Sequence, residues 1–151
     1  MVELRPARPE EAAPLSELAL RSKAHWGYSA KFLDSARVQL TLTPSSVTEA
    51  RVTVAEADGR IVGFYAVEGA PPDGELSHLW IDPPSIGTGV GRRLWEHAID
   101  TAHAAGFTSL HLDADPNAEG FYLAMGAVRI GASPSAVVPG RMLPAMRIAL
   151  S

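Results

Sequence analysis

The stretch IDPPSIGTGVGRR, residues 81–93, constrains this chain more than any other. Gly87, Gly89 and Gly91 make a turn between a predicted strand, ELSHLWID, stopped by Pro83 and Pro84, and a helix predicted over residues 88–105. Glycines let a backbone come close to a ligand, and the first turn of a helix leaves its N–H groups unpaired, so such a corner is an anion site. Arg92 and Arg93 in that first turn oppose the helix dipole by roughly 0.3–1 kcal/mol each. No acid lies between Thr88 and Arg93 to offset them. Either a bound anion makes the arrangement favourable, or both arginines are simply solvated.

A dinucleotide is the first anion to test. The strict GxGxxG spacing fails, because Arg92 stands both three residues after Gly89 and five after Gly87. Asp113 could imitate a ribose-binding acid, but the loop follows an antiparallel hairpin and comes past the chain's midpoint. Only about forty residues remain after Asp113, too few to complete a doubly wound sheet. A Rossmann domain does not fit.

Along the rest of the chain, VELRPA reads as a short strand. Leu15, Leu18, Ala19 and Ser22 then share one helical face, and Phe32, Leu33, Ala36 and Leu40 share another in a second helix that stops before Pro44. Two β-branched runs flank Asp58-Gly59, which predicts a hairpin with strands at 51–57 and 60–68. The long helix carries Leu94, Trp95, Ala98, Ile99 and Ala102 as its apolar stripe and ends at Gly106. SLHLDA is a strand, Asp115-Pro116 opens a short helix NAEGFYLAM, AVRIG is a strand, ASPSAVVPG is a loop, and RMLPAMRIAL is the last strand. The fold class is mixed α/β, one domain over 1–151.

Composition removes several functions. A net charge of −4 with pI near 5.7 argues against a basic nucleic-acid surface. No cysteine is present, so disulfides, thiolate metal sites and a cysteine nucleophile are excluded. The five histidines show no close ligand spacing, and no metal is expected. Without a signal-peptide pattern or an apolar run of about eighteen residues, the expected location is cytoplasmic, with no membrane partner.

LWIDPPSIGTGVGRRLWEHAI resembles the acetyl-CoA-binding motif of the GNAT acetyltransferases, Gln/Arg-x-x-Gly-x-Gly/Ala, with Gly89 and Gly91 at its two small positions. NAEGFYLAMGAVRIG is similar to the family's next motif, matched by Asn117, Phe121, Tyr122 and Gly126. The order of elements is also the family's. The resemblance implies a mostly antiparallel, twisted sheet of about six or seven strands, with a parallel pair at the acetyl-CoA cleft and about four flanking helices. Two departures stand out: Ile86 occupies the usual Gln/Arg position, removing one side-chain contact to the pyrophosphate, and Ala127 replaces a frequent Phe.

The resemblance also implies roles. Acetyl-CoA is the co-substrate, held by backbone along Gly87, Thr88, Gly89, Val90, Gly91 and Arg92, and by the strand edge at Leu79, Trp80 and Ile81. One of those strand N–H groups would face the oxyanion. Asn117 either reaches the pantetheine or caps the short helix. Tyr122 matches the family's general-acid tyrosine; the alternative is a core tyrosine with a satisfied hydroxyl. Glu75 lies where some members carry a catalytic glutamate. Strand alternation places Glu75, Ser77, Leu79 and Ile81 on one face and His78 and Trp80 on the other. His78 titrates near neutrality and is the competing base, and a water chain is the third option. Trp26 and Tyr28, between the first two helices, are expected with His78 at the acceptor site, by cation–π contact with an amine or as inter-helix packing. The expected reaction is acetyl transfer to a primary amine of a small molecule or protein; the alternative is a non-catalytic acyl-CoA-binding module acting as sensor or partner subunit. The family resemblance points to a homodimer through the late strands and their Pro-rich loop.

Overall fold

Asp58 and Gly59 both take positive φ, 51° and 77°, the backbone of a tight two-residue hairpin turn whose twist suits its strands. That hairpin organises the sheet. The structure, a computed structural model, describes residues 2–150, so the first and last residues of the expected domain lie outside the described ones. Its elements run β1 (Val2–Pro6), α1 (Ala12–Ala24), α2 (Ala30–Leu40), α3 (Pro44–Glu49), β2 (Arg51–Ala57), β3 (Arg60–Glu68), β4 (Asp73–Ile81), α4 (Val90–Ala104), β5 (Ser109–Asp113), α5 (Glu119–Ala124), β6 (Val128–Pro134) and β7 (Met142–Ala149). One seven-stranded sheet has the order β1-β2-β3-β4-β5-β7-β6, antiparallel everywhere except between β4 and β5.

The unbroken apolar run in β3 follows from burial on both faces. Phe64 and Ala66 join the core cluster beneath α1, α2 and α3, whereas Tyr65 and Val67 join the cluster under α4, with Leu94 and Trp95. The domain is therefore a sheet between two helical layers. Most of the predicted stripes are buried: Leu15, Leu18, Ala19 and Ser22 of α1, Ala36 and Leu40 of α2, and Leu94, Trp95, Ala98 and Ala102 of α4, while Phe32, Leu33 and Ile99 are half-buried. Fully burying a side chain such as Leu94 or Phe64 contributes about 1.5–3 kcal/mol.

Among the described residues five α-helices form, one more than the four or so that the resemblance implies. The addition, α3, is built by its cap: the Thr43 hydroxyl accepts from the Ser46 N–H (3.1 Å), the Ser46 hydroxyl accepts from the Thr43 N–H (2.9 Å), and Pro44 stands in the first turn. Six residues are too few to show a helical period. β6 also runs past AVRIG to Pro134, because its ladder with β7 continues to the Pro134–Met142 pair.

β4 departs from simple alternation, and the departure makes the site. Ala66 pairs with His78 but Val67 pairs with Leu76, so Ser77 is an extra residue in the ladder, a bulge. Glu75 consequently falls on the face of His78 and Trp80, and not with Leu79 and Ile81 as regular alternation predicts. A bulge also bends its strand. β4 pairs with β5 only over Asp73–Glu75 against Ser109–His111; beyond that the two parallel strands part, while β5 stays paired with β7 along its whole length.

Candidate active site

Where β4 and β5 part lies a cavity of about 410 Å³ with mostly apolar walls. One side is the free edge of β4, from Leu76 to Ile81. The rest of its lining comes from the glycine corner (Ile86, Gly87, Gly89, Gly91 and Arg92), from Leu112 and Asp113 of β5 with Asp115 and Asn117 after it, from Phe121 and Tyr122 of α5, and from Ser22 and Trp26 in and just after α1.

The glycine corner has the form its sequence implies. Gly87 and Gly89 adopt φ of 83° and 91°, where a side chain is strained. Within the loop, Ile86 N–H bonds Pro83, Thr88 N–H bonds Ser85, and the first helical bond runs from Arg93 N–H to the Gly89 carbonyl. The N–H groups of Gly87, Gly89, Val90, Gly91 and Arg92 are thus without backbone acceptors among the described residues. The two arginines separate: Arg92 lines the cavity and pairs loosely with Glu96 at 3.5 Å, while Arg93 donates to the Val2 carbonyl on β1. Ile86 stands at the rim, 37% exposed.

Tyr122 is buried against Trp95 and Phe121, with ring centroids 5.8 and 5.3 Å away. Burial, with a smaller contribution from the Asp115 charge, pushes its phenol well above the ordinary tyrosine range. It therefore stays protonated.

His78 accepts at Nδ1 from the Trp80 indole N–H, 3.0 Å away. Indole nitrogen only donates, so the imidazole proton sits on Nε2. Burial lowers the His78 pKa, partly countered by Glu68. Near neutral pH this ring is an uncharged donor with its lone pair already engaged, a poor arrangement for a base.

Of the sequence-derived residues, Leu79, Trp80, Ile81, Gly87, Gly89, Gly91, Arg92, Asn117, Tyr122, Trp26 and His78 meet around this one cavity. Four lie outside its lining. Glu75 sits where β4 and β5 are still paired, opposite His111. Val90 is a core residue, 4% exposed. Thr88 turns back to donate to the Ser85 carbonyl. Tyr28 lies behind Asp115.

Sequence reasoning saw Asp115 only as a cap. It is one, with Oδ1 accepting from Asn117 N–H at 2.8 Å. Its other oxygen takes Lys23 Nζ in an ion pair whose side chains are 12% and 6% exposed, and the Tyr28 hydroxyl at 2.9 Å. That hydroxyl in turn accepts from Arg141 Nη2 (2.8 Å) and Asn117 Nδ2 (3.1 Å). Burial raises the Asp115 carboxyl, but the bonds from Lys23, Asn117 and Tyr28 outweigh it and leave it below the ordinary aspartate range. No local pattern announces this cluster, since Lys23 and Arg141 are far from Asp115 along the chain. Neither alternative for Asn117 anticipated where its side-chain amide goes: Nδ2 also donates to Asp115 Oδ1 (2.9 Å).

Comparison with known proteins agrees with this architecture. A family model described as an acetyltransferase (GNAT) domain matches residues 21–150. No curated protein matches the chain by sequence. Among solved structures, a GCN5-related N-acetyltransferase from Rhodopseudomonas palustris superposes with a TM-score of 0.80 at 24% identity, over 98% of this chain and 95% of that one. PaiA N-acetyltransferase from Thermoplasma acidophilum, solved with coenzyme A, gives 0.76 at 19% identity, over 99% of each chain. The yncA protein from Salmonella typhimurium, solved with acetyl-CoA, gives 0.72 at 20% identity, over 100% of this chain and 95% of that one. At such identities the likeness concerns the fold. The match to the family model extends from the last turn of α1 through β7, and on that ground the chain belongs to the GNAT acetyltransferase family.

Proposed function

We propose that the protein is an acetyl-CoA-dependent N-acetyltransferase acting on a primary amine, as a single domain. The observation that carries this reading is the convergence, in one cavity, of a free strand edge, a corner of unpaired N–H groups and a protonated tyrosine. The pantetheine arm would extend β4 by main-chain hydrogen bonds, with the diphosphate at Gly87–Arg92, and an N–H of Leu79–Ile81 would meet the oxyanion. Asn117 keeps its amide carbonyl for the same ligand.

In the reaction the amine nitrogen attacks the thioester carbon, the N–C bond forms and the C–S bond breaks. The ammonium, with a pKa of roughly 10, first loses its proton. Since Glu75 lies outside the cavity lining and the His78 lone pair is engaged, solvent in the cleft takes that proton. Tyr122 donates its own to the departing sulfur and is reprotonated from solvent. We place the protein in the cytoplasm as a homodimer; exposed Val128, Ile130 and Met142 on β6 and β7 support the second point.

Calorimetric titration with acetyl-CoA and with NAD tests the cofactor, and release of free thiol over a panel of amines tests turnover. Acetyl-CoA binding with thiol release is the expected result. Binding without turnover on any amine would favour the acyl-CoA-binding module, and no binding would remove both readings.

A further inference from the structure

The sequence leaves Trp26 and Tyr28 either holding a cationic amine or packing between the first two helices; Trp26 is 42% exposed at the cavity, whereas the Tyr28 ring is already engaged by its neighbours. Tyr28 and Phe32 stack at 4.2 Å and 18°. Lys23 Nζ lies 5.1 Å from the Tyr28 ring centre, 5.7 Å from Phe32 and 5.9 Å from Trp80. The Arg141 guanidinium lies 5.2 and 5.1 Å from Tyr28 and Phe32. A second cation arriving here would find the π surfaces occupied and two positive charges facing it.

Those charges do not cancel. Lys23 is matched by Asp115, but Arg141 has no carboxylate partner among the described residues. Its one side-chain hydrogen bond uses a single N–H, toward Tyr28, which leaves the rest of the fork unfilled. The group is also firmly placed. Its backbone N–H bonds the Val138 carbonyl and its carbonyl accepts from Ser135, while Val137 packs into the core beneath α1 and α2. The Pro-rich loop between β6 and β7 thus delivers a half-buried arginine to the ring and hydroxyl of Tyr28, just outside the cavity lining. Through Tyr28, Arg141 is two hydrogen bonds from Asp115 and Asn117 in the cavity wall.

We infer that the acceptor is a primary amine bearing a carboxylate close to the nitrogen, as in an α-amino acid, and that Arg141 receives that carboxylate. One guanidinium offers one two-pronged face, which matches the two oxygens of a carboxylate. Within the cavity, Trp26, Leu76 and Leu79 suit an apolar side chain. This substrate class rests on the acetyltransferase reading; the carboxylate site itself does not.

The test compares leucine, leucinamide, isoamylamine and, as a phosphate-bearing control, O-phosphoethanolamine in thiol release at saturating acetyl-CoA. Leucine should exceed its amide and isoamylamine by about tenfold or more in kcat/KM. Arg141→Met, which keeps the stem over Phe32, should collapse that ratio toward one while still binding acetyl-CoA. If Arg141→Met fails to fold by circular dichroism, Arg141→Lys, which keeps the charge without the fork, should lower the ratio instead. Equal or better turnover of the uncharged analogues, preference for the phosphate compound, or a ratio unchanged in the variants would overturn the inference. Tryptophan fluorescence with N-acetyl-leucine and N-acetyl-leucinamide, with and without CoA, gives a readout that needs no turnover. Arg141-dependent preference for the acid without thiol release would uphold the site and sink the transferase; equal binding of acid and amide would sink the site.

Discussion

Tyr122 carries the clearest prediction at the scale of a single residue. Replacing it with phenylalanine keeps the packing against Trp95 and Phe121 and removes one proton donor. Tyr122→Phe should lower kcat by about 10²–10⁴-fold with the acetyl-CoA Kd held, read by stopped assay and calorimetry. Because burial raises the phenol above its ordinary value, the wild-type rate should climb with pH as the amine loses its proton, with no alkaline fall before about pH 10. A rate that falls between pH 8 and 9 would remove Tyr122 as the donor. This residue was legible in the sequence through Asn117, Phe121 and Gly126 around it. Arg141 was not, since nothing local distinguishes a loop arginine that meets a ring more than a hundred positions away.

Among elements, the decisive tie joins the end of α1 and the α1–α2 turn to the loop between β5 and α5. Lys23 and Asp115 hold it with little water around them, and Tyr28 braces the same carboxylate. Removing one member of a buried pair strands the other, so Asp115→Asn should cost about 3–5 kcal/mol and lower the melting temperature on the order of 10 °C. Acid should act on the same tie. The Asp115 carboxyl titrates below its ordinary value when folded, as does that of Glu11, held down by its hydrogen bonds from Arg5. Their stabilisation is complete above the unfolded value and fades as pH falls below about 4. His78, whose folded pKa is lowered, adds an earlier loss below about pH 6.5. Thermal melts from pH 8 to 3 should show both steps, with the lower one smaller in Asp115→Asn. The hairpin at Asp58-Gly59 and the stripe of α4 could be read from the chain because their signals are local. The bulge at Ser77 could not, because it exists only in the register between two strands.

For the whole molecule, charge and exposure point to how copies meet. With a net charge of −4 the surface repels its like only weakly, and Val128 (56% exposed), Ile130 (60%) and Met142 (50%) leave apolar area along the last two strands. Light scattering should give twice the mass of one chain, and Ile130→Glu should shift it toward one; a monomer in both would end the dimer proposal. The sheet also has a cost written into its length. One surplus residue keeps two parallel neighbours from zipping together along their full extent. Deleting Ser77 would leave the inward and outward sides of β4 as they are, yet let its outer half lie flat beside β5, with peptide hydrogen bonds filling the slot. The shortened chain should melt higher and catalyse nothing.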